Sequence, residues 1–360
     1  MLNPDILRGK NVLLRADLDV PLEQGKVVND FRLRALLPTL RLCLTNAQST
    51  LITGHLGRPE AKSEEFGLKP VREWLEKALH RSIYFIDSGF SPGEWARGEF
   101  PLAMLDNLRF DPGELNNSRE FARELTQGSD IYVYEAFASY NSAASLRIIP
   151  EIIPTYTGLQ FDREVEELEK IVKSPVAPSL LVLSGAKEDK GEYVDNLVDK
   201  FDEILVGGKL ASHIQPQTNV LPASLTPDGL DIDDASARLF SEKIKAAKSV
   251  VISGPLGRFE DGIHIVGTKA IFSAAVHSPA RNASHSDAGG PARNASHSDA
   301  GGPARVIIGG GDTLAAIPAL GFAYSDFDFV STGGGAMLEF LATGTHPLLT
   351  IIRNQTHAGS

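Results

Sequence analysis

Thiols are almost absent from this 360-residue chain. Its single cysteine, Cys43, excludes an internal disulfide and a thiolate-rich metal centre, and fits a reducing compartment. Basic side chains are outnumbered, 35 Lys and Arg against 46 Asp and Glu, for a net charge of -11 at pH 7. So acidic a chain lacks the field for non-specific nucleic-acid binding, although a local basic cluster could still hold a small anion. No apolar run approaches the roughly 18 residues of a membrane helix, and no basic head precedes an apolar stretch of signal-peptide length. The expectation is a cytoplasmic protein without nucleic-acid or membrane partners. Also missing are GxxxxGK[ST], a GxGxxG after the first strand, HExxH and any Cys/His cluster. P-loop, dinucleotide, metalloprotease and zinc chemistry lose their support with them.

What is present is an ordinary globular composition, 42% hydrophobic and 22% charged, in a chain long for one core and comfortable for two. Asn11–Leu14, Ser49–Thr53, Ile83–Ile86, Leu102–Leu105 and Ile131–Tyr134 read as strands. Arg32–Asn46, Leu68–His80 and Ser118–Leu125 have helical spacing or composition. A second series follows: Ser179–Leu183, Glu203–Val206, Ser249–Ile252, Arg305–Ile308 and Phe327–Val330. The alternation indicates parallel βαβ units, and strands running into glycine mark a ligand crevice at the carboxyl edge of such a sheet. Prolines 150, 154, 175 and 178 bracket the charged stretch Asp162–Lys173. It reads as a rigid helix between two lobes or as a solvated helix within one.

One segment is low-complexity: PARNASHSDAGG occupies 279–290 and repeats letter for letter at 291–302. Without apolar periodicity it can bury almost nothing, so a surface loop is expected. Duplication accounts for its His285 and His297 before any metal role does.

Four features of the first half go together. Arg15–Asp19 ends the first strand, Arg32 opens a helix, His55-Leu56-Gly57-Arg58 follows the second strand, and Arg109 follows Leu102–Leu105. Residues just beyond parallel strands converge on one edge, which gathers Arg32, Arg58, Arg109 and His55. The planar fork of arginine suits carboxylate and phosphate oxygens, so the set points to a small polyanion. The alternative for Arg15 and Arg109 is a structural pair with Asp17 or Asp106.

Glycine dominates the second half, at Gly185, Gly207-Gly208, Gly254, Gly309-Gly310-Gly311 and Gly333-Gly334-Gly335. Post-strand glycines let a ligand approach backbone N–H groups and helix N-termini, a phosphate-binding arrangement. Asp312 and Thr313 stand where they could reach a phosphate-bound Mg2+, directly or through water, and Lys187 is a candidate for stabilising a phosphoryl group in transfer. Anion on one lobe and nucleotide on the other suggest direct transfer across a closing cleft.

Together these segments resemble the phosphoglycerate kinase family from about Asn11 to about Leu341. The marks are RADLDVP (15–21), NDFRLRALLPT (29–39), GHLGRP (54–59), LDNLRF (105–110), SGAKEDK (184–190), GPLGRFEDG (254–262), GGGDT (309–313) and STGGGAMLEFL (331–341). The resemblance implies reversible phosphoryl transfer between 1,3-bisphosphoglycerate with ADP and 3-phosphoglycerate with MgATP, in glycolysis, by a monomer. It implies that Asp17, Leu18, Asp19, Arg32, His55, Leu56, Gly57, Arg58 and Arg109 surround the phosphoglycerate. Arg32 would lie nearest the transferred phosphoryl, with Lys187 and the helix starts at Gly310 and Gly334 as the other catalytic groups. Gly185, Lys187, Lys190, Gly207, Gly208, Glu260, Gly310, Gly311, Asp312 and Thr313 would bind ATP or ADP. Of these, Glu260 would take the ribose hydroxyls and Asp312, with Thr313, the magnesium.

The implied fold is α/β: two Rossmann-like three-layer α/β/α lobes with parallel sheets, joined by a helix, with a cleft between them. The first lobe would cover 1–160, with 340–360 packing back on it, the helix 161–177, and the second lobe 178–339. The chain departs from the family's pattern in five places. Asp19 replaces an Asn; Ser142 stands where an Arg binds substrate and the two nearby histidines are gone; the AKxxDK spacing is one residue short; Ile252-Ser253 replaces Trp-Asn; and Leu210–Asp231 is shortened. A lost charged hydrogen bond is worth ~1.5–3 kcal/mol, so a weakened enzyme and a non-catalytic relative are both compatible with the sequence.

Overall fold

A computed structural model describes residues 2–87, 100–185, 191–277 and 304–358. The duplicated segment 279–302, Lys187 and Lys190 lie outside the described residues. The chain divides into two compact units, Met1–Glu166 with Thr345–Ser360, and Glu167–Gly344.

In the first unit, strands β1 (Asn11–Arg15), β4 (Ser49–Thr53), β5 (Tyr84–Ile86), β6 (Leu102–Leu105), β7 (Ile131–Tyr134) and β8 (Thr155–Thr157) form one sheet. Its order is β5-β6-β4-β1-β7-β8 and every pairing is parallel. β1, β4 and β7 are buried almost throughout, as continuous apolar runs must be when helices cover both faces. Register then fixes the functional edge. Arg15 pairs with Thr53 and with Tyr134, so the residues that follow three strands leave the sheet side by side. A two-residue-strand hairpin, β2 (Leu22–Glu23) and β3 (Lys26–Val27), turns through Gln24 and Gly25, both at positive φ.

Helix Phe31–Asn46 starts where the Asn29 side chain accepts the N–H of Phe31, and buries Leu33, Leu36, Leu40 and Cys43 along one stripe. Burial pushes the Cys43 thiol up to about 12. Helix Leu159–Lys173 begins three residues before the expected Asp162, because its first turn is capped from elsewhere. Glu135 accepts the N–H groups of Gln160 and Phe161 at 3.0 Å each, and Thr39 accepts that of Leu159 at 2.8 Å. The Thr39 hydroxyl also donates to Glu135. The unit boundary falls inside this helix, at Glu166, and the second unit runs on to Gly344 because helix Gly334–Thr343 passes through residue 340. The segment returning to the first unit therefore starts at Thr345. Its His346 is buried among Tyr134, Phe137 and Phe161, Nε2 3.2 Å from the carbonyl of Phe137.

The second unit repeats the plan with β9 (Ser179–Ser184), β10 (Glu203–Gly207), β11 (Val220–Pro222), β12 (Ser249–Ser253), β13 (Arg305–Gly309) and β14 (Phe329–Ser331). The order is β11-β10-β9-β12-β13-β14, again all parallel. β14 starts two residues after the expected Phe327, since Asp328 turns its carboxylate onto the N–H of Val306. Pairs Ser184 with Gly207, Ser253 with Gly309 and Gly309 with Ser331 align the glycine-bearing ends. Among the described residues no helix is long and apolar enough to cross a membrane.

Candidate functional site

On the first unit, His55 is the centre of a guanidinium cluster. Its Nδ1 lies 2.7 Å from Arg15 NH2; a guanidinium can only donate, so Nδ1 accepts and Nε2 carries the proton. Burial, then Arg15, Arg109, Arg32 and Arg58 in that order, hold the ring's pKa well below its ordinary value. The neutral imidazole is thus a fixed N–H donor in a strongly positive setting.

Arg15 itself is committed to structure. It donates to Ser145 Oγ and to the Ala16 carbonyl, and lies 4.0 Å from Glu114, so its partners are not the Asp17 offered by the sequence. Glu114, buried and accepting from both Ser145 N and Oγ, completes this support. Sequence reasoning missed it, since a glutamate at a short helix gives no signal of burial. Arg109 likewise passes over Asp106 and donates to the Gly57 carbonyl, with its pKa lowered first by burial. Asp106 instead accepts from Leu68 N and Asn107 N.

Arg32 faces two acids: Nε is 3.5 Å from Asp17 Oδ2 and NH1 3.8 Å from Asp19 Oδ2, while NH1 donates to the Asp19 carbonyl at 2.6 Å. Asp17 is buried, and its pKa is raised chiefly by desolvation, against the lowering effect of Arg32. Asp19 Oδ1 accepts the N–H of Gly57 at 2.8 Å, a bond that an asparagine oxygen could also accept. Gly57 sits at φ +62, with the Phe66 ring where a Cβ would be. Leu18 and Leu56 are core side chains, so any ligand contact from them passes through backbone. Arg58 is exposed. Ser142 is exposed too, and its hydroxyl accepts from Asn117 Nδ2 at 2.9 Å.

On the second unit the glycines are where chain meets chain. A Cβ on Gly254, at φ +103, would lie 2.1 Å from the Ser184 carbonyl oxygen; one on Gly208 would lie 2.7 Å from Ser184 Oγ and 3.1 Å from the carbonyl of Gly185. Gly207 leaves no room beside Leu256. The starts of helices Gly311–Ala319 and Gly334–Thr343 abut, for a Cβ on Gly334 would come within 2.7 Å of Gly310 Cα. Two helix N-termini so close present their free N–H groups and positive ends to one place. Gly311 borders open space.

Thr313 is buried and its hydroxyl accepts from Gly254 N at 2.9 Å, which ties this helix start to the end of β12. Asp312 beside it is exposed, as is Glu260 on the short turn Phe259–Asp261. Among the described residues no group of three or more His, Cys, Asp or Glu could hold a metal. The one carboxylate of Asp312 suits a magnesium carried mainly by nucleotide phosphates.

The phosphoglycerate kinase family profile matches residues 3–221, 214–301 and 292–344. A phosphoglycerate kinase of Herpetosiphon aurantiacus is 31% identical over 393 residues, 92% of this chain and 93% of its own. That of Thermosipho africanus is 31% identical over 409 residues, 97% of this chain and 96% of its own. Alignments longer than 360 residues carry gaps in this chain. Among solved structures, phosphoglycerate kinase from Pyrococcus horikoshii superposes with a TM-score of 0.79 at 25% identity, covering 98% of both chains. That from Coxiella burnetii gives 0.72 at 27%, covering 97% of both. Profile, relatives and fold agree over nearly the whole length, and the chain belongs to the phosphoglycerate kinase family, whose members are phosphotransferases.

Proposed function

We propose that this chain transfers a phosphoryl group reversibly between 1,3-bisphosphoglycerate and ADP, giving 3-phosphoglycerate and MgATP, as a cytoplasmic monomer. The observation that carries the reading is the four guanidiniums around a neutral, buried His55. A small molecule with a carboxylate and a phosphate matches such a field, and the His55 Nε2–H adds a donor without a charge. Arg32, Arg58 and Arg109 bind the acid, Arg32 also lying toward the carboxyl that accepts the phosphoryl. Asp17 and Asp19 hold Arg32, while Gly57 holds Arg109.

The second unit binds the nucleotide through Gly185, Gly207, Gly208, Gly310 and Gly311, with Glu260 on the ribose and Lys187 and Lys190 on the phosphates. In the direction of acid phosphorylation, a carboxylate oxygen attacks the terminal phosphorus of ATP. The bond to the bridging oxygen breaks with its electron pair, leaving ADP. No protein group is covalently modified, so catalysis is positioning plus electrostatics. The N–H groups at Gly310 and Gly334 and the Lys187 ammonium take up charge as it moves. Asp312 would hold the magnesium, which when bound neutralises phosphate charge.

The test is a coupled assay of ADP formation from 3-phosphoglycerate, ATP and Mg2+. Turnover that needs both substrates and falls sharply in Lys187→Ala is expected; wild type no faster than Lys187→Ala overturns the reading. A second reading, a non-catalytic nucleotide-binding relative, is favoured by Ser142, whose exposed hydroxyl supplies no charge. Ser142→Arg separates the two. In an enzyme with a weakened clamp it lowers the 3-phosphoglycerate KM, by roughly tenfold for a restored charged bond. In a non-catalytic relative it restores nothing, even combined with Asp19→Asn.

A further inference from the structure

The second unit contains a charge cluster that phosphoryl transfer leaves unused. His264 Nδ1 lies 2.6 Å from Asp261 Oδ2, and Nε2 lies 2.8 Å from Asp228 Oδ2. Ionised carboxylates only accept, so both ring nitrogens must donate, and the ring is an imidazolium. The side chain is only 13% exposed. Its pKa is raised, first by the hydrogen bond to Asp261 and then by that to Asp228. Asp228 is lowered to about 2, by the Thr226 hydroxyl first, then by Leu230 N–H and His264.

The cluster joins two segments. One is the turn Thr226–Asp231, closed by Thr226 Oγ on Asp228 at 2.6 Å and by Leu230 N on the same oxygen at 3.1 Å. The other runs from Gly257 to Gly267 and folds back so tightly that a Cβ on Gly257 would lie 2.3 Å from the His264 carbonyl oxygen. Arg258 N donates to the Leu230 carbonyl and Gly267 N to Asp231, while Arg258 Nε donates to Asp261. Glu260 sits inside this loop, on the turn that Asp261 closes.

We propose that His264 is a positioning residue for the nucleotide: by bridging Asp228 and Asp261 it fixes the loop that presents Glu260, and the bridge opens when the ring loses its proton. The inference rests on the nucleotide reading of the second unit given above. The charged groups that face the ring are Asp228 and Asp261, with Arg258 beyond Asp261, Asp231 behind the loop and Glu260 upon it. A neutral ring keeps one donor, so one of its nitrogens would then turn a lone pair toward a carboxylate. Because the pKa is raised, the bridge is complete below the ordinary histidine value of ~6.5 and is lost as pH climbs through the raised value. Nucleotide affinity therefore falls on the alkaline side.

The experiment is calorimetric titration of the full chain with MgADP between pH 6.5 and 9.5 at constant ionic strength. Wild type, His264→Gln, Asp228→Asn and Glu260→Ala are compared, each with a melting curve and steady-state kinetics. Wild-type Kd should rise roughly three- to tenfold across the alkaline range, and His264→Gln should bind several-fold more weakly at pH 7 with no alkaline slope. Nucleotide KM should rise in His264→Gln and Asp228→Asn while kcat and the 3-phosphoglycerate KM stay near wild type. If His264→Gln does not fold, Asp228→Asn carries the comparison. A flat wild-type profile with nucleotide still bound overturns the inference alone. So does a variant whose losses fall equally on kcat, both KM values and melting. Wild-type affinity in Glu260→Ala overturns the ribose contact and the inference with it, and absence of MgADP binding at every pH overturns both this and the functional reading.

Discussion

Asp19→Asn is the sharpest test of how charge is arranged around the acid. The Asp19 carboxylate stands 3.8 Å from Arg32 NH1 and 3.8 Å from His55 Nε2, and 39% of its side chain is exposed. A ligand oxygen bonded to Arg32 would lie ~6 Å from it, where two unit charges repel by ~0.7 kcal/mol in water and ~2.8 kcal/mol at an effective dielectric of ~20. Exposure favours the lower part of that range, ~0.7–1.4 kcal/mol, a three- to tenfold fall in the 3-phosphoglycerate KM. Asparagine can keep the Gly57 N–H bond through its oxygen, so melting should change little. The assay is steady-state kinetics at ~0.02 M and ~0.5 M salt, since an exposed charge is screened within ~4 Å at the higher value. An unchanged KM at low salt, or a gain of the same size at both salts, would refute the electrostatic account.

Other substitutions have equally specific outcomes. Gly334→Ala forces a methyl against Gly310 Cα, so the backbone must shift, and MgADP affinity measured by calorimetry should drop by roughly tenfold or more. Glu135→Ala strips the acceptor from Gln160 N, Phe161 N and the Thr39 hydroxyl; a loss of ~3 kcal/mol should lower the thermal midpoint of the first unit by roughly 6–12 °C. His346 has its pKa lowered to about 4 by burial, so it contributes stability above ~6.5 that is lost as pH falls toward about 4, at most ~3 kcal/mol. Denaturant titrations at pH 7 and pH 4.5 should therefore show a smaller difference for His346→Phe than for wild type; an equal difference would remove this histidine as the cause.

Central strands were readable because they are nearly unbroken apolar runs; β4, β6 and β7 start and stop where the sequence places them. Two of the four edge strands, β8 and β11, were not. β8 reads Thr-Tyr-Thr between Pro154 and Gly158, and β11 ends on a proline, so neither has the signature of a strand covered on both faces. Arg32, Arg58, Arg109 and His55 could be grouped in advance, since parallel register carries whatever follows a strand to one edge. The partners of Arg15 could not: Ser145 and His55 lie 130 and 40 residues away, whereas Asp17, the nearest acid in sequence, faces Arg32. Proximity along the chain misled there because Arg15 is the last strand residue and Asp17 lies beyond the strand. The His264 bridge left no trace in motif or spacing.

The single thiol has a practical consequence. Cys43 is fully enclosed in the first unit, and its proton is held up to about 12, so an alkylating reagent at neutral pH meets neither an accessible sulfur nor a thiolate. With no other cysteine in the chain, modification proceeds only through openings that release helix Phe31–Asn46. The rate of mass gain under pulsed labelling then becomes a clock for one half of the molecule, silent about the other. A ligand that slows this clock binds a state in which that helix stays docked, so the anion's grip on the first unit can be measured without any turnover at all.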